Sequence, residues 1–212
     1  MRQARCHGFR KSIRRPYPKI PVQRFILDAV LLVAIAFPAL AQIQGSAHDF
    51  SQEGWSGGEL CAVCHAPHGG NGTNQTAPMW NHELSSASYT PYRSSTLTQS
   101  MEQPGSASVS RLCLSCHDGT IALDSFGGRQ GGTYIPNSLS LGTDLSDDHP
   151  ISVRAIRPVN SEGAGSENSV KLYDGRVECP SCHDVHNNNV SDDKLLRVAR
   201  TKSKLCLQCH DM

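Results

Sequence analysis

The sequence predicts a loop-dominated fold with a few short α-helices and a minor β-hairpin, wrapped around cofactors. Three observations predict it. Apolar residues make up only 38% and aromatic residues 6% of the 212 positions, little for a self-sufficient core. Two long stretches, 84–110 and 127–169, are rich in Ser, Thr and Gly and lack apolar periodicity. A C-x-x-C-H motif recurs four times, as Cys61/Cys64/His65, Cys113/Cys116/His117, Cys179/Cys182/His183 and Cys206/Cys209/His210.

C-x-x-C-H is the attachment signature of a c-type haem. Cysteines at i and i+3 lie on one side of a helical turn, so both sulfurs can reach the vinyl groups on one porphyrin edge. The histidine at i+4 then stands under the iron as its proximal ligand. The fold class expected is therefore a multihaem cytochrome c with four covalently bound haems. The porphyrins supply the missing apolar bulk, and their links restrict the unfolded chain as disulfides do. Zinc ribbons also use paired C-x-x-C motifs, but they do not require a histidine after every pair. Thioredoxin-like chemistry calls for a βαβ pattern, and none surrounds these pairs. Eight of the nine cysteines sit in the motifs, and the ninth, Cys6, lies in a segment expected to be removed.

Residues 1–24 hold eight basic residues and no acid, and an apolar run follows from Phe25 to Leu40. The run contains Asp28 and Pro38 and is short for a membrane span. Ala39-Leu40-Ala41 completes an A-x-A site. The expectation is a cleaved signal peptide over 1–41, hence export and no stable membrane anchor. Its removal takes basic residues from 20 to 12 and acidic residues from 19 to 18, leaving a net charge of −6. A negative chain is a poor partner for nucleic acid and for anionic membranes.

The chain then reads in order. Residues 42–126 form a first di-haem unit, 127–169 an irregular connecting segment and 170–212 a second di-haem unit. The first motif forms one helical turn ending near Pro67 and Gly69-Gly70. Ser110 can cap a short helix carrying the second motif, with Gly119 as its stop. Val170 to Val177 reads as a hairpin with Asp174-Gly175 as a type I′ turn. Ser191-Asp192-Asp193 should start a helix running through Leu195, Leu196 and Val198.

The motifs also repeat in kind. Cys61 to His68 matches Cys179 to His186, each C-x-x-C-H-x-x-H, and Arg111 to Asp118 matches Lys204 to Asp211. The order is that of a duplicated di-haem unit. Four proximal histidines need four distal partners, and five candidates remain: His48, His68, His82, His149 and His186. His68 and His186 sit too close to their own proximal histidines to reach the far face of the same haem. The expected assignment gives His68 to haem 2, His186 to haem 4, and His82 and His149 to haems 1 and 3. Met79, Met101 and Met212 are the rival ligands. Histidine is numerous enough to close all four irons, and closed sites suit electron transfer and not catalysis. Bis-imidazole ligation lacks the Met ligand that raises potential, so low potentials are expected.

The combination of His48-Asp49-Phe50-Ser51, Cys61 to His68, Trp80-Asn81-His82-Glu83, Leu112 to Gly119, Asp144 to Pro150 and Cys179 to Asn187 resembles the OmcE-type extracellular tetrahaem cytochromes. The resemblance covers essentially the chain beyond the leader. It implies copies of the chain polymerised into a filament with a continuous haem chain and haem pairs alternately parallel and T-shaped. It also implies export to the cell surface, redox partner proteins, an extracellular electron acceptor, and one iron per protomer ligated from the adjacent protomer. His48, near the expected mature terminus, is either that inter-subunit ligand or a spare that hydrogen-bonds locally. Two alternatives stand beside this reading: a soluble periplasmic tetrahaem shuttle, and a membrane-anchored quinol-oxidising subunit with residues 25–40 uncleaved.

Overall fold

The computed structural model describes residues 43–70, 77, 79–97, 101–155, 169–187 and 195–211. All of them belong to one compact unit. The leader expected at 1–41 and the start of the helix expected at Ser191 lie outside them. Regular structure is sparse, as the composition predicts. Helix α1 spans Ser110–His117, strand β1 Val153–Arg154, strand β2 Arg176–Val177, and the one-turn helix α2 Cys179–Cys182. Single 3-10 turns cover Thr201–Ser203 and Cys206–Gln208. Among the described residues no helix is long and apolar enough to cross a membrane.

The core sits beside α1. Tyr89, Leu114 and Leu145 form a buried cluster, with Ala87 and Ile151 packed against it. Leu145 and Ile151 come from the connecting segment, so that segment supplies packing as well as length. Thr90 and Leu145 draw the two loops together through Thr90 N–H to Thr143 O and Leu145 N–H to Thr90 O, both 2.9 Å. Arg111 clamps the 84–105 loop on the other side. Its guanidinium donates to the carbonyls of Ser85 (2.7 Å), Ala87 (3.1 Å) and Pro104 (2.7 Å), and it lies over the Tyr89 ring. One side chain thus satisfies three backbone acceptors in a loop with no ladder of its own.

Helix α1 begins one residue off the expected capping pattern. Its N-cap is Val109 and makes no side-chain cap bond. Ser110 Oγ donates instead to the buried carboxylate of Glu178 and accepts from Cys179 N–H at 2.9 Å. The pull of a buried carboxylate outcompetes the local cap, because a charged acceptor forms the stronger bond. The helix stops where expected: Gly119 takes φ +74°, and Asp118 and Gly119 N–H close back on Leu114 and Cys116. A Cβ at Gly119 would meet Ser140 Oγ at 2.8 Å.

The turn at Asp174-Gly175 also forms as read. Both residues have positive φ (50° and 71°), and Tyr173 and Arg176 exchange two bonds of 2.9 Å. Beyond that closing pair the ladder changes partner. β2 runs antiparallel to β1, with Val177 opposite Val153 and Arg176 opposite Arg154, so the small sheet joins the connecting segment to the third motif. The helix expected through Leu195–Val198 does not form over its described part. Leu195 has φ +54°, Leu196 bridges antiparallel to His183, and Arg197 N–H bonds to Cys182 O at 2.8 Å. Pairing with the third motif overrides the local helical preference.

Candidate cofactor-binding site

All four C-x-x-C-H segments fold into a single helical turn. The histidine N–H reaches back to the first cysteine carbonyl at 2.8 Å for His65, 3.1 Å for His183 and 2.9 Å for His210, and His117 closes α1 itself. This is the turn that puts two thiols on one side. Each turn is held by a different neighbour. The first is flanked by the extended segment at Trp80–Glu83, through Ala66 N–H to Met79 O and Asn81 N–H to Cys64 O, both 2.9 Å. Asn81 Nδ2 adds a 2.6 Å bond to Ala62 O.

The second and third turns are bolted together by one buried acid. Glu178 accepts from Ser108 Oγ (2.7 Å), Ser110 Oγ and Ser152 Oγ (3.2 Å), and forms a reciprocal capping box with Ser181 at the start of α2. α1 and α2 therefore pack against each other, and the thiols of Cys113 and Cys179 lie within hydrogen-bonding reach. Glu178 and Ser108 carried no motif in the sequence. The one legible sign was an acid immediately before a C-x-x-C pair, which is too common to single out.

The eight cysteines of the described chain are free. Burial pushes the thiol of Cys64 up to about 11, with Cys61 adding, and that of Cys116 up to about 12. Cys182 rises to about 11 for the same first reason. Between Cys113 and Cys179 the hydrogen bond raises the first and lowers the second. The raised thiols of Cys64, Cys113, Cys116 and Cys182 are protonated at neutral pH, the form that adds S–H across a vinyl group. Among the described residues no three of His, Cys, Asp or Glu converge on one point.

The histidines fall into pairs. His65 and His186 have ring centres 6.0 Å apart with planes at 25°, His48 and His117 6.0 Å at 48°, and His149 and His210 6.4 Å at 79°. Nδ1 of His48 and of His65 is buried with no hydrogen-bond partner. Burial, then His117 and His183, takes the His48 ring down to about 4, and burial followed by His186 lowers His65. His117 is lowered too, by burial first. Neutral imidazoles with unclaimed nitrogens are what an iron requires. Thiols on one side of a turn and histidine rings beyond it fit haem c.

The five candidate distal histidines lie as follows. His186 lies against His65 of the first motif and not against the fourth. The turn Asp184–Asn187, fixed by Asp184 N–H to Leu195 O (2.7 Å) and Asn187 N–H to Asp184 O (3.1 Å), carries it there. His149 faces His210 and not the third motif. His48 is half-buried against His117, in its own chain. His68 is exposed and makes no ring contact with a motif histidine. His82 is only 1% exposed, with its ring nitrogens 2.8 Å from Glu83 O and 3.1 Å from Ala122 O, and it borders Cys116 instead of His65. Bridging of His82 to Phe126 holds it there. Met79 is 55% exposed.

Turns presenting paired thiols and a histidine, with further histidine rings facing three of them, imply covalently bound haem c and electron transfer. The family described as Doubled CXXCH motif matches residues 173–212, which contain the third and fourth motifs, and supports a multihaem c-type cytochrome. No curated protein matches the chain.

Proposed function

We propose that this chain carries four haem c groups with bis-histidine ligation and conducts electrons along them, polymerised into an extracellular filament. Haem c, when bound, supplies a one-electron Fe(III)/Fe(II) couple. The chain's own part is to space, orient and shield these couples. The observation that carries the reading is the linkage of the motif segments: Asn81 N–H bonds Cys64 O while the next residue's ring, His82, lies 3.5 Å from Cys116 Sγ, Glu178 ties α1 to α2, and Arg197 N–H, on the lead into the fourth motif, bonds Cys182 O. These bonds run in chain order, from the first motif to the second, the second to the third, and the third to the segment leading into the fourth. Porphyrin edges anchored at such neighbours would lie close enough for successive electron hops, which a wire needs and a single-site enzyme does not. No open iron position is required, so the role is electron transfer without catalysis. The resemblance to the OmcE-type cytochromes adds the filament, the cell-surface location and the external acceptor.

The test is purification of the exported holoprotein, with haem counted by alkaline pyridine spectrum against chain mass, followed by electron microscopy. Four haems and filaments are expected. Four haems on a concentration-independent monomer would select the periplasmic shuttle. Nitrite or CO binding to a high-spin haem would revive an enzyme.

A further inference from the structure

We infer that three specific ring pairs are axial pairs of one iron each: His65 with His186, His48 with His117, and His149 with His210. The inference rests on the haem reading above and goes beyond it by assigning partners that the motif spacing does not give. Two observations carry it.

The first is length. A metal–imidazole bond is about 2.0–2.1 Å, so two in line, with about 1.2 Å from each nitrogen to its ring centre, separate the centres by about 6.4 Å. The three pairs stand at 6.0, 6.0 and 6.4 Å.

The second is pairing. Ordinary aromatic contacts also fall at about 4.5–7 Å, so distance alone would not decide. Every one of these three pairs, however, joins one C-x-x-C-H histidine to one histidine outside the motifs, and no histidine is used twice. Axial ligation by one motif and one outside histidine requires this sorting, and all three pairs meet it at the required separation. The surroundings agree. His149 Nδ1 lies 3.1 Å from Pro150 O, which orients that nitrogen and leaves Nε2 available, and the Asp184 carboxylate stands 3.8 Å from His186 Nδ1. The pairing crosses the sequence repeat: the segment after the third motif serves the first, so the two halves share a haem.

The ring-plane angles give the pairs separate signatures. In a low-spin ferric iron the two imidazole planes split the iron orbitals they overlap. Near-parallel planes split them strongly and give a rhombic paramagnetic resonance signal. Near-perpendicular planes leave them nearly degenerate and give a strongly anisotropic one. At 25°, the His65–His186 pair should be the most rhombic, and at 79°, the His149–His210 pair the most anisotropic.

The experiment takes the full-length holoprotein through paramagnetic resonance with spin quantitation. His186→Ala should convert a quarter of the low-spin iron to high spin and remove the most rhombic component. His149→Ala should convert another quarter and remove the most anisotropic component. His48→Ala should convert a quarter as well. His186→Met, which keeps a sixth ligand and so protects maturation, should leave all iron low-spin and add a thioether-to-iron charge-transfer band on one haem. An exchange of signals between the His186 and His149 variants would overturn the map, as would a His48 variant retaining four low-spin irons. Absence of covalent haem in the unsubstituted protein would instead refute the haem reading itself.

Discussion

Arg111 to Asp118 and Lys204 to Asp211 share the pattern basic-Leu-Cys-Leu-x-Cys-His-Asp, yet they fold differently. The first is the body of an eight-residue α-helix, and the second is a 3-10 turn. Leu114 is 1% exposed, while its counterpart Leu207 is 39% exposed. Asp118 is buried and accepts from Ser85 Oγ (2.5 Å), Tyr89 OH (2.7 Å) and Thr120 N–H (2.7 Å), while Asp211 is exposed. Ser115 Oγ, buried, bonds Arg111 O at 2.7 Å and accepts from Ser85 N–H at 3.0 Å, whereas Gln208 only reaches Lys204 O at 3.4 Å. The difference lies outside the motif. The first copy has a serine-rich loop to lean on and a connecting segment to pack against, and the 27-residue spacing of the second leaves no such loop. The motif specifies haem chemistry, and the flanking loop decides how rigidly that chemistry is held.

The largest contrast should come from the two leucines. Leu114→Ala should cost about 2–5 kcal/mol in urea denaturation of the holoprotein, as a buried core truncation does. Leu207→Ala should stay within about 0.5 kcal/mol. Equal costs would break the comparison and would mean that a porphyrin face covers Leu207 in the loaded chain.

Next come the two aspartates. Asp118→Ala strips four donors, Ser85 Oγ, Tyr89 OH, Thr120 N–H and Thr120 Oγ1, of their carboxylate acceptor and should cost about 2–3 kcal/mol. Asp211→Ala should cost less than about 0.5 kcal/mol. Hydrogen exchange would sharpen the result, since deprotection after Asp118→Ala should concentrate in 84–90 and 110–120. Uniform deprotection across both halves would show that the first half is not an independent unit of stability. A smaller effect is expected at the basic position. Arg111→Ala leaves the carbonyls of Ser85, Ala87 and Pro104 without their donor and should cost about 1–3 kcal/mol. Lys204→Ala should be near neutral, and comparable melting shifts for the two variants would contradict the clamp.

Local signals in the sequence proved readable because short-range physics fixes them. The four motif turns close on their own i and i+4 groups. Gly119 and Asp174-Gly175 sit where positive φ is required. The scarcity of regular structure follows from the missing apolar periodicity. What the sequence hid is long-range. Ser110 abandons its cap role for an acid 68 residues away, and Leu195–Val198 gives up helix for pairing with the third motif. The ring contacts of the histidines are long-range too: which of five candidates faces which motif depends on loop paths that no spacing rule encodes. The symmetric repeat invited a symmetric assignment, and the unequal loops removed the symmetry.

The last contrast concerns strain. Of the five non-glycine residues with positive φ among the described residues, four lie in the second half: Asp174, Leu195, Lys202 and Ser203. Asp174 belongs to a turn that requires that conformation, but Lys202 (φ 55°) and Ser203 (φ 57°) sit together immediately before the fourth motif. A left-handed conformation costs an L-residue roughly 1–2 kcal/mol, and glycine escapes that cost while losing more chain entropy on folding. Lys202→Gly should therefore raise stability by up to about 1 kcal/mol, opposite in sign to every substitution above. Lys202 is exposed, so no packing is lost with its side chain. A gain in the denaturation midpoint at unchanged slope would identify the segment before the fourth motif as a strained lead into a loosely held haem turn. A loss would mean that the lysine side chain is engaged in the loaded protein, and the second half would then be firmer than its sparse burial implies.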